Sequence, residues 1–253
     1  MKIYVCIKQV PNTNDVKIDA KKGTLIRKNI ENIVNPADKN ALEIALKIKD
    51  EVGDVEITII SMGPLQAKES IQECLAMGAD KAILLSDSTF SGADTFATSY
   101  VLSQCIKKLG IPDMILLGKQ AIDGETAQVG PQLAEKLDIQ FETSVTEANY
   151  NINCIDILKE TEEYVTKLKV KLPCLLTVNK DANIPRNMNI FDIRKKKEII
   201  IYSHEDINLK EYECGIEASP TKVIATFLPP KNNECIFIDE NNLDDLIDII
   251  KSI

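Results

Sequence analysis

Tryptophan is absent from this 253-residue chain, and histidine occurs once, as His204. Acid–base catalysis by imidazole would rest on that one side chain, in the polar stretch Ser-His-Glu-Asp-Ile-Asn, which is a poor setting for it. Cysteines stand at positions 6, 74, 105, 154, 174, 214 and 235, and none belongs to a C-x-x-C pair. Without that spacing, and with one histidine, a zinc site is not expected. Most lie inside apolar runs, where free thiols pack as small hydrophobes. An odd cysteine count, and residues 1–10 too short for a secretory leader, fit a reducing cytoplasm. Three familiar catalytic loops are missing: there is no G-x-x-x-x-G-K-[ST], no G-x-G-x-x-G and no G-x-S-x-G. Nucleotide hydrolysis, standard dinucleotide dehydrogenation and ester hydrolysis all lose support. No apolar run approaches the roughly 18 residues that would suggest a membrane span. The only basic block is Arg-Lys-Lys-Lys at 194–197, against a net charge of -9, and it reads as a solvated helix end. Nucleic acid is therefore not an expected partner. If chemistry occurs here, a cofactor carries it.

What is present is an ordinary globular composition, 44% hydrophobic and 27% charged, with alternating element signals. Residues 2–8 (KIYVCIK) read as a strand, and 16–27 as a small hairpin turning at Lys22-Gly23. Asn35-Pro36 opens a helix, with Asn35 as its cap and Pro36 at its first position, closed by Gly53. Strands follow at 55–61, 81–86 and 113–118. Helices are expected at 66–77, 94–110 and 126–137, the second capped by Asp94. Four short, continuously apolar strands alternating with helices predict a doubly wound, mostly parallel α/β sheet, which binds ligands beyond the carboxyl ends of its strands. After residue 137 the pattern changes. Residues 144–160 and 162–178 read as long antiparallel β segments, 184–197 as a short helical piece and 198–203 as a last strand. The predicted α/β domain covers 1–205. Residues 206–253 form an arm that ends in an amphipathic helix with Leu243, Leu246, Ile247 and Ile250 on one face, free to dock on its own domain or on another subunit.

Four loops should share the ligand crevice: one at Cys6–Val10 with Lys8, a second at Ser61-Met62-Gly63-Pro64, a third from Ser86 to Thr95, and a fourth from Gly118 to Thr126. The fourth, within GKQAIDGETAQVG (118–130), resembles a phosphate loop. A helix N-terminus offers unpaired N–H groups and partial positive charge, and Thr126 supplies a hydroxyl or a cap. Asp123 and Glu125 sit oddly there. Either they merely stabilise a helix start, or they face away from a phosphate.

Four stretches together resemble the beta (small) subunit of electron-transfer flavoproteins: CIKQVP (6–11), NPADKNALEIAL (35–46), LLGKQAIDGETAQVGP (116–131), and KLKVKLPCLLTV (167–178) with the IPR and FDIRKKK that follow. The resemblance runs nearly end to end. It implies an adenine-nucleotide α-hydrolase-like fold and a heterodimer with a larger alpha subunit, which carries a redox FAD and is embraced by the C-terminal arm. It also implies a nucleotide in this chain, either structural AMP or a second FAD. Members holding FAD often take a hydride from NADH and divide the electrons between a high-potential acceptor, reached through the alpha subunit and a flavin-dependent dehydrogenase, and ferredoxin or flavodoxin. Members of the AMP type usually show Asn-Pro-Phe-Cys and an Asp-Asp-x-Asn-Gln-Thr-Gly loop. Here Ala37-Asp38 and Asp123-Gly124-Glu125 stand instead, and both look like the FAD-holding, electron-bifurcating subgroup.

Carried over residue by residue, the resemblance sets Cys6 and Lys8 beside the adenosine or ribose. Asn35, Pro36, Ala37 and Asp38 line the same pocket, with Met62 beneath it. Gly118, Lys119, Gln120, Ala121, Ile122, Asp123, Gly124, Glu125, Thr126, Ala127, Gln128, Val129 and Gly130 wrap the ribose and diphosphate, with Asp123 on ribose hydroxyls or capping the helix. Thr95 and Thr98 sit near an isoalloxazine ring, where hydroxyls tune its potential; a plain capped helix is the alternative for that stretch. No residue is expected to act as a catalytic acid, base or nucleophile. Two departures stand out. Glu162-Glu163-Tyr164 replaces the family's frequent Asp-Gly-Gly tip, and Ala182 falls about where some members dock acyl-CoA dehydrogenases through an exposed leucine.

Overall fold

The computed structural model describes residues 1–12, 17–18, 25–26, 31–161 and 163–224, with 247, 250 and 251 near the C-terminus. Two compact units, Met1–Lys222 and Val223–Ile253, divide the chain. In the second, residues 247, 250 and 251 are helical; Leu243 and Leu246 of the expected apolar face lie outside the described residues.

The first unit is built on a nine-stranded sheet. In chain order its strands and helices are β1 (Lys2–Ile7), β2 (Gln9–Pro11), β3 (Lys17–Ile18), β4 (Leu25–Ile26), β5 (Asn32–Val34), α1 (Pro36–Val52), β6 (Glu56–Met62), α2 (Lys68–Met77), β7 (Lys81–Leu85), α3 (Thr95–Leu109), β8 (Met114–Gly118), α4 (Val129–Leu137), β9 (Gln140–Asn151), β10 (Cys154–Glu160), β11 (Val165–Lys171), β12 (Cys174–Val178), α5 (Ile190–Lys195) and β13 (Ile200–Tyr202). The large sheet runs β11-β10-β9-β12-β8-β1-β6-β7-β13. From β12 to β13 every pairing is parallel. The central strands are buried on both faces, as their unbroken apolar sequences require. Ile3 and Val5 of β1 pack with α1 and α2 in one core cluster, while Tyr4 and Cys6 pack with α3 and α4 in the other. Alternation along one strand thus feeds two cores, and the predicted doubly wound architecture is observed.

The differences have local causes. The expected hairpin is present as β3 pairing antiparallel with β4, and its tip at Lys22-Gly23 lies outside the described residues. β9, β10 and β11 form the antiparallel extension. β12, expected to continue it, instead pairs parallel with both β8 and β9, because its fully apolar CLLTV belongs in the interior and not on a half-wet ribbon. α4 begins at Val129, not Thr126, since Ala127 at φ 53° interrupts a helical path. α5 covers only 190–195; Pro185 removes an amide donor upstream and Asn189 caps the helix through Phe191 N. Asn35 stands at the N-cap of α1 but makes no side-chain cap bond, because its amide is engaged elsewhere. Asp94 does cap α3, accepting from Ala97 N at 3.0 Å.

Candidate nucleotide site

From β1 the chain proceeds through β6 and β7 on one side, then returns to lay β8 on the other. The crossover after β1 packs α1 on one face and the crossover after β8 packs α4 on the other. The carboxyl ends of β1 and β8 therefore flank the topological switch point, where a doubly wound sheet opens a crevice. Lys8 leaves one side of it and residues 118–128 leave the other.

The N-terminus of α1 ties the two sides together. Asp38 accepts the Lys8 amide at 2.7 Å and the Gly118 amide at 2.8 Å, one on each carboxylate oxygen. Asn35 donates from Nδ2 to Gln120 O at 3.0 Å and accepts the Ile122 amide at 3.2 Å. Burial pushes the Asp38 carboxyl up to about 6, against the lowering effect of the Lys8 and Gly118 amides and the Asn35 side chain. The two short N–H donors suit its ionised form. Gly118 has to be glycine for this brace to close. A Cβ there would lie 2.5 Å from Asp38 Oδ1 and 2.7 Å from the Ala37 Cβ. Gly130 is equally constrained by Thr177, whose Cγ2 would lie 2.4 Å away.

Asp123 neither caps a helix nor points into empty space. Lys8 Nζ donates to both its oxygens at 2.7 Å, across the crevice mouth. The loop turns on Ala121 O, which accepts from Gly124 N and Glu125 N. Glu125 and Ala127 then take left-handed conformations (φ 51° and 53°). Gly124, the expected point of close backbone approach, has open space around it and no left-handed φ. The amides of Thr126, Ala127 and Gln128 make no hydrogen bond among the described residues. They precede the free amides of Val129 and Gly130 at the start of α4, ahead of Pro131, so the loop ends in a run of unspent donors. Thr126 is exposed and does not cap α4; Gln128 holds the cap position. Lys119, Gln120 and Gln128 are exposed as well. Thr95 Oγ1 donates to Gln128 Oε1 at 3.1 Å, and Gln132 Nε2 donates to Thr95 at 3.3 Å, so the loop finishes against the start of α3. Polar groups thus run from the Lys8 ammonium, held by Asp123, through the free amides of 126–128 to the Thr95 hydroxyl.

Other expected residues sit further back. The Cys6 thiol is buried, flanked in the sheet by Ile60 and Leu117, and burial pushes it up, so it is a packing thiol. Met62 is half-buried against the α3/α4 core at the end of β6. Thr98 is half-buried and bonds through its backbone to Asp94 O. Pro36 and Ala37 serve the helix start, with Ala37 against Gly118. Ala121 and Ile122 are half-buried in the turn, and Val129 packs on the α3/α4 core. Among the described residues Cys6, Cys74, Cys105, Cys174 and Cys214 are buried and free, and no group of histidine, cysteine and carboxylate side chains could hold a metal. No helix among them is long and apolar enough to cross a membrane.

The sequence reading missed two features. The Lys8–Asp123 pair joins residues 115 apart, which no local pattern reveals. His204 is not a loose tail residue: its Nδ1 lies 2.8 Å from Asp87 Oδ2 at the exit of β7.

A doubly wound sheet with a braced glycine loop at its switch point defines an α/β subunit with a candidate ligand crevice. The electron transfer flavoprotein domain model matches residues 22–206. Across 91% of this chain and 88% of the relative, the sequence is 50% identical to subunit CarD of the caffeyl-CoA reductase–Etf complex of Acetobacterium woodii. It is 45% identical to the electron transfer flavoprotein subunit beta of Megasphaera elsdenii, over 98% of the chain and 96% of the relative. It is 39% identical to the acryloyl-CoA reductase electron transfer subunit gamma of Anaerotignum propionicum, over 98% and 97%. The chain belongs to the electron-transfer flavoprotein family, as a subunit of the beta type.

Proposed function

We propose that this chain is the beta subunit of a heterodimeric electron-transfer flavoprotein that holds FAD and takes a hydride from NADH. Electrons would then divide between ferredoxin or flavodoxin and a high-potential acceptor, reached through an FAD-bearing alpha subunit and a flavin-dependent dehydrogenase. What supports FAD over AMP is the pair of stretches Ala37-Asp38 and Asp123-Gly124-Glu125, which resemble the FAD-holding members. Polar groups run from Lys8 through the free amides of 126–128 to Thr95 on α3. When bound, the flavin supplies two-electron uptake from a nicotinamide and one-electron release.

The chain's own residues bind and orient. Lys8 and the amides of 126–128 meet phosphate oxygens, with Thr126 adding its hydroxyl. Asp38 and Asn35 hold the two loops at a fixed separation. Thr95 would meet the ring end by exchanging its bond to Gln128 for one to the flavin, with Gln132 still donating to its oxygen. The names of relatives as reductase-complex subunits support a reductase or dehydrogenase partner. Co-expression with the alpha subunit, followed by extraction of nucleotides, tests the reading. Two FAD per heterodimer and rapid flavin bleaching by NADH are expected. One FAD with one AMP, and no bleaching, would make this a carrier subunit that relays electrons only through its partner.

A further inference from the structure

α3 and α4 start close together where the loop 118–128 ends, and their polar side chains meet there. Thr95 and Ser99 lie one turn apart on α3, and Gln128 and Gln132 lie one turn apart at the start of α4. Thr95 Oγ1 donates to Gln128 Oε1 at 3.1 Å, and Gln132 Nε2 donates to Thr95 Oγ1 at 3.3 Å. Behind them is Ser99, fully buried. Its Oγ donates to Gln132 Oε1 at 3.3 Å and to Phe96 O at 2.9 Å, one proton divided between two acceptors.

The backbone under Thr95 is held independently. Asp94 caps α3 through Oδ1, and its Oδ2 accepts the Thr221 amide at 3.0 Å and the Thr221 hydroxyl at 2.8 Å. Its own amide donates to Ser219 Oγ at 2.9 Å. Branched at Cβ, Thr95 has few rotamers to choose from. What these contacts leave open is where its hydroxyl proton points. A hydroxyl has one proton and two lone pairs. With Gln132 Nε2 on one lone pair, the proton cannot face Gln132 and turns to the loop, where Gln128 Oε1 takes it. Gln128 is exposed, so that acceptor can be exchanged for one on a ligand. The Ser99 proton calls for the amide oxygen and so keeps Gln132 this way round.

Helix packing does not require this arrangement. Val101, Leu102, Leu133, Ala134 and Leu137 already bury α3 and α4 in one apolar cluster. A hydrogen bond adds little net stability, and a glutamine gives up much rotamer freedom to make one. What Gln132 contributes is direction.

We propose that Gln132, steadied by Ser99, is a positioning residue that reserves the Thr95 proton for an acceptor atom, a ring nitrogen or carbonyl oxygen, on the redox ring of the bound dinucleotide. The inference rests on the FAD reading above and adds the residue that sets selectivity at the ring end.

The test sets FAD against ADP, which shares the adenosine diphosphate and lacks the ring. Assembled heterodimer is equilibrated with both at equal concentration, and bound nucleotides are extracted and counted beyond the one FAD of the alpha subunit. Wild type should select FAD. Gln132→Met should lower the FAD-to-ADP ratio about fivefold, the worth of one hydrogen bond, and Thr95→Val should do the same. Thr95→Val/Gln132→Met should lose no more than either alone, because both act on one proton. Thr95→Ser keeps the hydroxyl and should keep most of the ratio. In spectroelectrochemical titration the midpoint of this chain's flavin should move equally in Thr95→Val and Gln132→Met. If Gln132→Met does not assemble, Ser99→Ala frees the amide to turn and should lower the ratio about twofold. Gln132→Glu can only accept, so a ratio unchanged there would overturn the inference. A wild type that takes up ADP as readily as FAD would end the FAD reading itself. Selection lost in Thr95→Val but intact in Gln132→Met would end the positioning inference alone, and additive losses in the double variant would do so too.

Discussion

Single residues set the geometry of the nucleotide crevice. Asp38 joins the Lys8 and Gly118 amides, so any atom inserted between them separates β1 from β8. Gly118→Ala would place a methyl 2.5 Å from the carboxylate. That overpacking should destabilise the chain by about 1–3 kcal/mol. Urea midpoints with an unchanged slope would show it, and nucleotide retention should fall with it. Gly124→Ala, with open space around it, is the matched control. Much of this scale could be read in advance. Asn35, Asp38, Asp123 and the 118–130 glycines can be named from the sequence as candidates, and the structure brings Asn35 and Asp38 to the loop from Gly118 to Ile122. Their contacts cannot, because each joins segments 30 to 115 positions apart and periodicity speaks only of neighbours. Asn35 illustrates the gap. An Asn-Pro pair predicts a cap, yet the side chain bonds a loop that follows 85 residues later.

At the scale of elements, strands and helices followed their apolar periods closely, and the misreadings cluster where one residue outranks a pattern. Ala127 in a left-handed conformation delays α4, and apolar β12 leaves the antiparallel ribbon for the interior. The segment after β13 shows a dependence that sequence could not show. His204 meets Asp87 through Nδ1, and the Asp87 carboxylate also accepts Thr89 N and His204 N. Partial burial pushes Asp87 up, but those bonds outweigh it and hold the carboxyl well below its usual range. The Asp87 hydrogen bond raises His204, helped by Glu205 and Glu211, against desolvation. The histidine's contribution is complete below about 6.5 and is lost as pH rises through its raised folded-state value. The aspartate's contribution is complete above about 3.9 and is lost on acidification. Attachment of residues 203–214 should therefore be firmest between those limits. Amide exchange of Ile207 and Leu209, corrected for intrinsic rates, should quicken on the alkaline side, and His204→Asn should abolish that rise.

At the scale of the molecule, the boundary at Lys222 separates a sheet-based unit from a C-terminal unit. The sheet, its two cores and the nucleotide crevice all lie before it, so a chain ending at Lys222 should unfold cooperatively in calorimetry and keep its nucleotide loop. We expect that truncation to lose the alpha subunit in gel filtration, because the C-terminal arm is the part assigned to embrace it. Retained heterodimer would move that role to the sheet-based unit. The fold class could be foreseen from composition and alternation alone. The subgroup reading needed the resemblance, because no elementary rule says which adenine ligand a braced glycine loop prefers.

The contact between Lys8 and Asp123 would make ligand entry a competition. An anion that recruits Lys8 meets an ammonium already shared with a tethered carboxylate, held at 2.7 Å on both oxygens. A lone carboxylate from a passing metabolite offers the lysine nothing that Asp123 does not, and it must also give up its freedom in solution. A diphosphate brings surplus charge and can reach the amides of 126–128 at the same time. On the proposed reading, the acid that looked out of place in a phosphate loop would set a threshold, screening visitors by how much negative charge they carry and how far along the loop they extend.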